Sequence, residues 1–132
     1  MSDLTNRAKE ILSSDNGYVK CNNYNIVKVE EHYCEMEAII SDSSKNPYGI
    51  AHGGFIFGLA DTAAGIAAMT DERTAVTVNS NIDYLRPCKG DKLIAKASVV
   101  KPGKSIAVVD VLIYDSSLDL VSKASVTYFY IN

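Results

Sequence analysis

One segment of the chain is apolar on almost every side. Residues 53–69 read GGFIFGLADTAAGIAAM and carry a single charge, at Asp61. An α-helix that is hydrophobic all round has to be buried all round, and its many glycines and alanines let other backbone approach closely. A chain of 132 residues is large enough to bury such a helix. We therefore predict a single domain, residues 1–132, built around this helix.

The rest of the chain predicts one short helix and a set of strands. Apolar residues at helical spacing predict an amphipathic helix over 4–14, and polar–apolar alternation predicts the strands. In the strand over 76–85, the alternation places Val76, Val78 and Tyr84 on one face and Thr77 on the other. Tight turns between the later runs indicate antiparallel hairpins. The predicted strands are 24–29, 33–40, 76–85, 93–99, 106–114 and 120–131. One antiparallel sheet then has to bury one central helix, which predicts the α+β class with a curved sheet wrapped around that helix.

Composition argues against several classes of protein. A net charge of -3 provides no basic excess for binding nucleic acid. The first residues lack the apolar core of a signal peptide, and no stretch resembles a membrane span. Cys21, Cys34 and Cys88 form no CxxC pair, which favours a reducing compartment, and the two histidines have no metal-ligand spacing. We expect a cytoplasmic protein with no nucleic acid, membrane, metal or cofactor bound.

Asp61 is the residue that most suggests chemistry. It is the only fixed charge between Lys45 and Asp71, and it falls within the predicted buried helix. An unpaired buried carboxylate is costly, so the fold has to supply hydrogen bonds, water or a ligand. Burial alone is equally compatible with a catalytic carboxylate and with a structural aspartate bonded to the sheet.

The residues His52, Gly53 and Gly54 stand where the apolar helix begins. Free N–H groups at a helix N-terminus stabilise negative charge, including the charge that develops on a carbonyl oxygen during acyl transfer. A flexible start to the helix is the alternative interpretation. Asp61 follows Gly53 by eight residues, which is about 12 Å along a helix axis. The two are too far apart to act on one carbonyl within one subunit, so a shared site needs a second subunit.

Several motifs occur together along the chain. They are Asn46, His-Gly-Gly at 52–54, Leu-Ala-Asp at 59–61, TVNSNIDYLRP at 77–87, Gly-Asp at 90–91, Lys-Pro-Gly-Lys at 101–104 and Thr-Tyr at 127–128. With these motifs, residues 24–130 resemble the PaaI-type hotdog thioesterases of the 4-hydroxybenzoyl-CoA thioesterase-like superfamily. The resemblance implies the hotdog fold and hydrolysis of an acyl- or aryl-CoA thioester to free acid and CoA.

The resemblance also implies a role for each matching catalytic position. The N–H of Gly53 polarises the thioester carbonyl, and Asp61 either activates water or attacks as a nucleophile. Asn46 orients the water or the carbonyl. His52 braces the turn, a supporting role that we favour over that of general base. Thr77 stands where relatives place a hydroxyl that assists the water or carboxylate, although strand propensity alone also explains a threonine there.

Substrate binding is expected to involve Gly54 in the turn and four cations near the strand ends. Arg86, Lys89, Lys101 and Lys104 lie where relatives often hold the CoA nucleotide, whose phosphates need positive charge. Charged residues are also routine in solvated turns, which is the alternative explanation for each of them.

Two other functions are compatible with the same fold. The first is a non-catalytic acyl-CoA sensor using the same groove, against which the presence of both Asp61 and Asn46 counts. The second is an enoyl-CoA hydratase, which pairs an aspartate with a later histidine, and no histidine follows Asp61. The resemblance further implies a site built across a homodimer, with dimers pairing into a homotetramer.

Overall fold

The computed structural model describes residues 3–13, 17–88 and 90–132. Its helices are α1 (Asp3–Ser13), α2 (Tyr18–Cys21) and α3 (Gly53–Ala68), with a 3-10 turn at Asp42–Ser44. Its strands are β1 (Tyr24–Glu30), β2 (Tyr33–Ile39), β3 (Ala75–Tyr84), β4 (Lys92–Pro102), β5 (Ile106–Asp115) and β6 (Leu120–Tyr130). The predicted strands and the two longer helices are confirmed to within a few residues at their ends, except that residue 14 lies outside the described residues.

The strands form one antiparallel sheet in the order β1-β2-β4-β5-β6-β3. The sheet curves around α3, and this helix packs against all six strands. The predicted α+β class and hotdog arrangement are therefore confirmed. Within the described ranges, no helix has the length and apolar character needed to cross a bilayer.

Helix α3 is buried because nearly all its side chains are small or apolar. Leu59, Ala60, Ala63, Ala64 and the other residues of its core face have almost no exposed surface. The helix begins at Gly53 and ends at Ala68, one residue short of the predicted segment. Small side chains bring the backbone of the helix close to the sheet.

Four tyrosine hydroxyls use this closeness to reach the helix backbone. Each comes from a strand and donates to a carbonyl oxygen of α3: Tyr24 to Phe55 at 2.6 Å, Tyr84 to Gly53 at 2.7 Å, Tyr128 to Asp61 at 2.6 Å and Tyr130 to Ala68 at 2.8 Å. A bulkier helix would hold these hydroxyls away from the carbonyl groups. The depth and rotation of α3 on the sheet are thus fixed by polar contacts as well as by packing.

Strand β3 contains a β-bulge that corrects the predicted alternation. Thr77 pairs with Tyr128 and Asn79 pairs with Thr127, so Val78 has no partner on β6. The extra residue reverses the inside–outside order along the strand. Thr77 and Tyr84 consequently both face α3, whereas alternation without a bulge predicted opposite faces.

Helix α2 was not predicted. It has only four residues, too few for a helical pattern to show in the sequence, and Gly17 precedes it with a left-handed φ of 106°. The loop predicted at 41–47 contains the 3-10 turn, which the side chains of Ser41 and Ser44 cap reciprocally. Neither difference changes the topology.

Ser122 on β6 is expected to contribute no net stability through its hydroxyl. The residue is fully buried, and its Oγ has no hydrogen-bond partner among the described residues. Because an unsatisfied buried hydroxyl is costly, Ser122→Ala should leave the free energy of unfolding unchanged or raise it by up to about 1 kcal/mol. Urea unfolding measures this directly.

Ser44 provides the matched control for that measurement. Its buried Oγ donates to Ser41 O at 3.0 Å and accepts from Ser41 N at 2.9 Å. Ser44→Ala should therefore lose about 1 kcal/mol. Equal losses in the Ser122 and Ser44 variants would contradict the prediction.

Candidate active site

The N-terminus of α3 leaves one of its first N–H groups available. His52 is the N-cap residue, and its Nδ1 accepts from Gly54 N at 2.8 Å. His52 O accepts from the N–H groups of Phe55 and Ile56. Within the described part of the chain, the N–H of Gly53 has no acceptor. His52 thus caps the helix, and Gly53 rather than Gly54 offers a donor to a ligand.

The peptide between Gly53 and Gly54 is held at both ends. Tyr84 Oη donates to Gly53 O at 2.7 Å, while His52 Nδ1 takes the N–H of Gly54. Tyr84 was not predicted as a site residue, because its place beside α3 depends on the bulge in β3. These contacts fix the orientation of the turn that carries the Gly53 N–H.

Asn46 lies on the same cavity as Gly53. This cavity, of about 370 Å³, is also lined by Tyr84 and Arg86. Asn46 Oδ1 accepts from Tyr48 N at 2.9 Å and from Ile50 N at 3.4 Å, which orders the loop before the helix. Its amide nitrogen has no partner among the residues the structure describes, so Asn46 can donate into the cavity.

Asp61 is half-buried near the middle of α3. Its two carboxylate oxygens differ in the hydrogen bonds that they accept. Oδ1 accepts from Thr77 Oγ1 at 3.0 Å and from Tyr128 Oη at 2.8 Å. No donor from residues 3–13, 17–88 or 90–132 lies on Oδ2. Thr77 was a predicted site residue and is brought to Asp61. Tyr128 was not assigned a role, although the Thr-Tyr motif at 127–128 contains it.

Tyr128 remains a hydrogen-bond donor over the whole working pH range. Its burial, and then the negative charge of Asp61 beside it, raise the pKa of Tyr128 far above the ordinary value of 10.0. A neutral phenol donates to a carboxylate, whereas a phenolate would repel it. Tyr128 therefore approaches Asp61 as a neutral hydroxyl donor.

The carboxylate opens on a second cavity, of about 550 Å³, which is within the size range of ligand pockets. Asp61, Thr77 and Tyr128 are among its polar lining residues, and apolar residues of α1 and α3, including Leu12 and Ile66, form much of the remainder. It shares no lining residue with the cavity at Gly53. One subunit therefore presents the Gly53 donor and the Asp61 carboxylate in two separate places, in agreement with their spacing along the helix.

The four predicted cations do not form one patch within a subunit. Arg86 follows β3 and pairs with Asp119 at 3.1 Å, beside the turn after β5. Lys101 and Lys104 flank the turn before β5, at the other end of that ten-residue strand, about 30 Å away. Lys89 lies outside the described residues. Among those residues, no group of three His, Cys, Asp or Glu is arranged to hold a metal ion.

Comparison with known proteins identifies the family. The family model described as Thioesterase superfamily matches residues 48–122. The acyl-coenzyme A thioesterase PaaI of Escherichia coli is 33% identical over 98 residues, which cover 74% of this chain and 70% of that protein. The solved structure of E. coli PaaI superimposes with a TM-score of 0.92 at 25% identity, covering 99% of this chain and 96% of the other.

Two streptococcal structures are also similar. A Streptococcus mutans protein bound to acetyl-CoA has a TM-score of 0.80 at 35% identity, covering 83% of this chain and 90% of that one. A Streptococcus pneumoniae hypothetical thioesterase, solved with coenzyme A, has a TM-score of 0.80 at 34% identity and covers 83% and 87%. The same S. pneumoniae protein was solved as separate alanine variants of an aspartate and a threonine 16 positions apart, the separation of Asp61 and Thr77 here. This chain belongs to the thioesterase superfamily, as a hotdog-fold thioester hydrolase of the PaaI type.

Proposed function

We propose that this protein hydrolyses acyl-CoA thioesters to a free acid and CoA, with Asp61 as the catalytic carboxylate. The observation that carries the proposal is the asymmetry of this carboxylate, in which Thr77 and Tyr128 hold Oδ1 while Oδ2 stays open beside a ligand-sized cavity. The PaaI relative is named an acyl-CoA thioesterase, and the two streptococcal neighbours hold acetyl-CoA and CoA, which supports this substrate class. The location we propose is the cytoplasm, where its free cysteines would stay reduced.

Hydrolysis by the general-base route needs two groups. Asp61 removes a proton from water as the water oxygen attacks the thioester carbon, and the Gly53 N–H stabilises the oxyanion that forms. When the intermediate collapses, the C–S bond breaks and the CoA thiolate takes the proton from Asp61. Asn46 orients the water or the carbonyl through its free amide, and His52 keeps the turn rigid.

The alternative route is nucleophilic. Asp61 attacks the thioester carbon, CoA leaves as the thiolate, and water hydrolyses the resulting mixed anhydride. A single turnover in oxygen-18 water tests for the nucleophilic route. Label in the Asp61 carboxylate demonstrates that route, with water attacking the Asp61 carbonyl of the anhydride. Label in the product acid alone is given by the general-base route and by attack of water on the acyl carbonyl of the anhydride.

We further propose that each active site combines Gly53 of one subunit with Asp61 of another. The two groups line separate cavities within one chain, so a single subunit does not present both to one carbonyl. Strand β3 is an edge of the sheet, and its Val76 and Val78 are about half exposed. An edge strand presents unpaired N–H and C=O groups that a second copy can pair with. We expect dimers that pair into a homotetramer, which light scattering would detect as four times 14.3 kDa.

Subunit complementation tests the shared site. Asp61→Asn removes the carboxylate, and Gly53→Pro removes the N–H, so each homo-oligomer should keep at most about a hundredth of wild-type activity. When the two chains assemble at random in equal amounts, a shared site receives both intact groups in about a quarter of cases. We expect about a quarter of wild-type activity after co-expression. No activity above that of the separate variants would place both groups in one subunit.

A panel of short, medium, long-chain and aryl-CoA thioesters tests the reaction itself. Release of free thiol from at least one of them is the expected result. Measurable binding of the panel without any turnover would instead indicate a non-catalytic acyl-CoA-binding protein.

A further inference from the structure

Tyr128 is a buried residue that lies beside the carboxylate of Asp61. It lies on the inner face of β6 with 3% of its surface exposed, and it pairs across the sheet with Thr77 of β3. Gly65, four residues after Asp61, makes room for it, because a Cβ there would lie 3.2 Å from Tyr128 Oη. The hydroxyls of Tyr128 and Thr77 therefore reach Asp61 from two adjacent strands.

The hydroxyls of Thr77 and Tyr128 both bind the same carboxylate oxygen of Asp61. An ionised carboxylate offers about four acceptor positions, about two on each oxygen. Thr77 Oγ1 and Tyr128 Oη occupy both positions on Oδ1. Within the described ranges, the positions on Oδ2 receive no protein donor.

We propose that Tyr128 is a positioning residue. Together with Thr77 it keeps Oδ1 of Asp61 hydrogen-bonded, and it thereby leaves Oδ2 as the oxygen that acts on water or on the thioester. This inference rests on the proposed catalytic role of Asp61. In this arrangement the effect of Tyr128 on the reaction is exerted through Asp61. It acts by holding the carboxylate in one rotation.

Tyr128 also contacts the backbone of Asp61, and this second contact fixes the position of the carboxylate. Its single proton faces two acceptors of the same residue, Asp61 O at 2.6 Å and Oδ1 at 2.8 Å. The side chain of Asp61 is thereby fixed relative to its own helix turn. As Oδ2 takes a proton or forms a bond, the carboxylate loses charge, and the phenol proton can shift towards the carbonyl without breaking the anchor. Little reorganisation then accompanies the reaction, as electrostatic preorganisation requires.

The test compares two tyrosines whose hydroxyls both hold α3, of which Tyr128 alone contacts the carboxylate. Tyr130 lies two residues further on β6, is also buried, and donates to the α3 carbonyl of Ala68 at 2.8 Å without contacting the carboxylate. Tyr128→Phe and Tyr130→Phe each remove one anchor of α3, so both should lower the unfolding midpoint by a similar amount. Tyr128→Phe alone should lower kcat for acyl-CoA hydrolysis, by about ten- to a hundredfold with KM nearly unchanged.

Thr77 supplies the second arm of the test. Thr77→Val should lower kcat in the same way, and Thr77→Ser, which keeps the hydroxyl, should recover most of that loss. The inference is overturned if Tyr128→Phe keeps kcat within about twofold of wild type, or if Tyr130→Phe loses as much kcat as Tyr128→Phe. Failure of the wild-type protein to hydrolyse any acyl-CoA is a separate result, which would remove the proposed function and this inference together.

Discussion

Replacing Asp61 with asparagine should lower kcat by about a hundred- to ten-thousandfold, the range typical of lost general acid–base catalysis. The asparagine side chain has nearly the same shape, and its oxygen still accepts from Thr77 and Tyr128. It cannot take a proton from water or attack a thioester. Thiol release from an acyl-CoA measures the loss, and calorimetry on the same variant should show acyl-CoA binding largely intact.

Asp110 is a suitable control for that substitution. It is an exposed aspartate on β5, and Asp110→Asn removes the same charge from the chain. We expect this control to keep both its activity and its fold. If Asp61→Asn kept the wild-type kcat, the assignment of the catalytic carboxylate would be wrong.

Gly53→Pro is expected to lower kcat by about a hundred- to a thousandfold, the usual cost of losing one oxyanion donor. Proline has no N–H and is tolerated as the first residue of a helix, which is the position of Gly53. His52 already has the extended backbone that a residue before proline adopts, with φ −65° and ψ 139°. The helix should therefore form normally, and circular dichroism with thermal unfolding checks that it does.

The control for this prediction is Gly53→Ala. Alanine adds a Cβ about as close to Tyr84 Oη as the proline would, at 3.1 Å, but it keeps the N–H. Any loss in the alanine variant measures crowding of Tyr84, and the additional loss in the proline variant measures the missing donor. Equal activity in the two variants would exclude the Gly53 N–H as the oxyanion donor.

The sequence predicts the central helix and the sheet well, because both depend on patterns within short segments. The apolar run of 53–69 and the alternation of the strands are sufficient to place α3 and all six strands. The cap at His52 and the position of Thr77 beside Asp61 also agree with what the motifs indicated. Helix α2 was not predicted because a segment of four residues is too short to show helical periodicity in the sequence.

The contacts of the site were harder to predict, because they depend on strand register. Tyr128 meets Asp61 from 67 positions away, and Tyr84 meets Gly53 from 31 positions away. Neither tyrosine differs in pattern from an ordinary inward-facing residue. The distance between Arg86 and the lysines 101 and 104 likewise follows from which ends of antiparallel strands meet, which turn residues alone do not reveal.

The bulge at Val78 constrains the number of residues in β3, independently of the identity of any one side chain. Thr77 supports the carboxylate and Tyr84 supports the helix N-terminus, yet seven positions separate them, an odd number that would put them on opposite faces of a regular strand. One unpaired residue restores the matching parity. The number of residues in β3, together with the bulge, therefore decides which face of the strand each side chain is on. We call this relation the phase of the strand. A substitution at Val78 preserves that phase, and so does deletion of Val78, because six positions of a regular strand also leave Thr77 and Tyr84 on one face. Deletion of a paired residue between 79 and 84, with the bulge retained, would instead turn one of the two hydroxyls away from α3 and uncouple the two halves of the site.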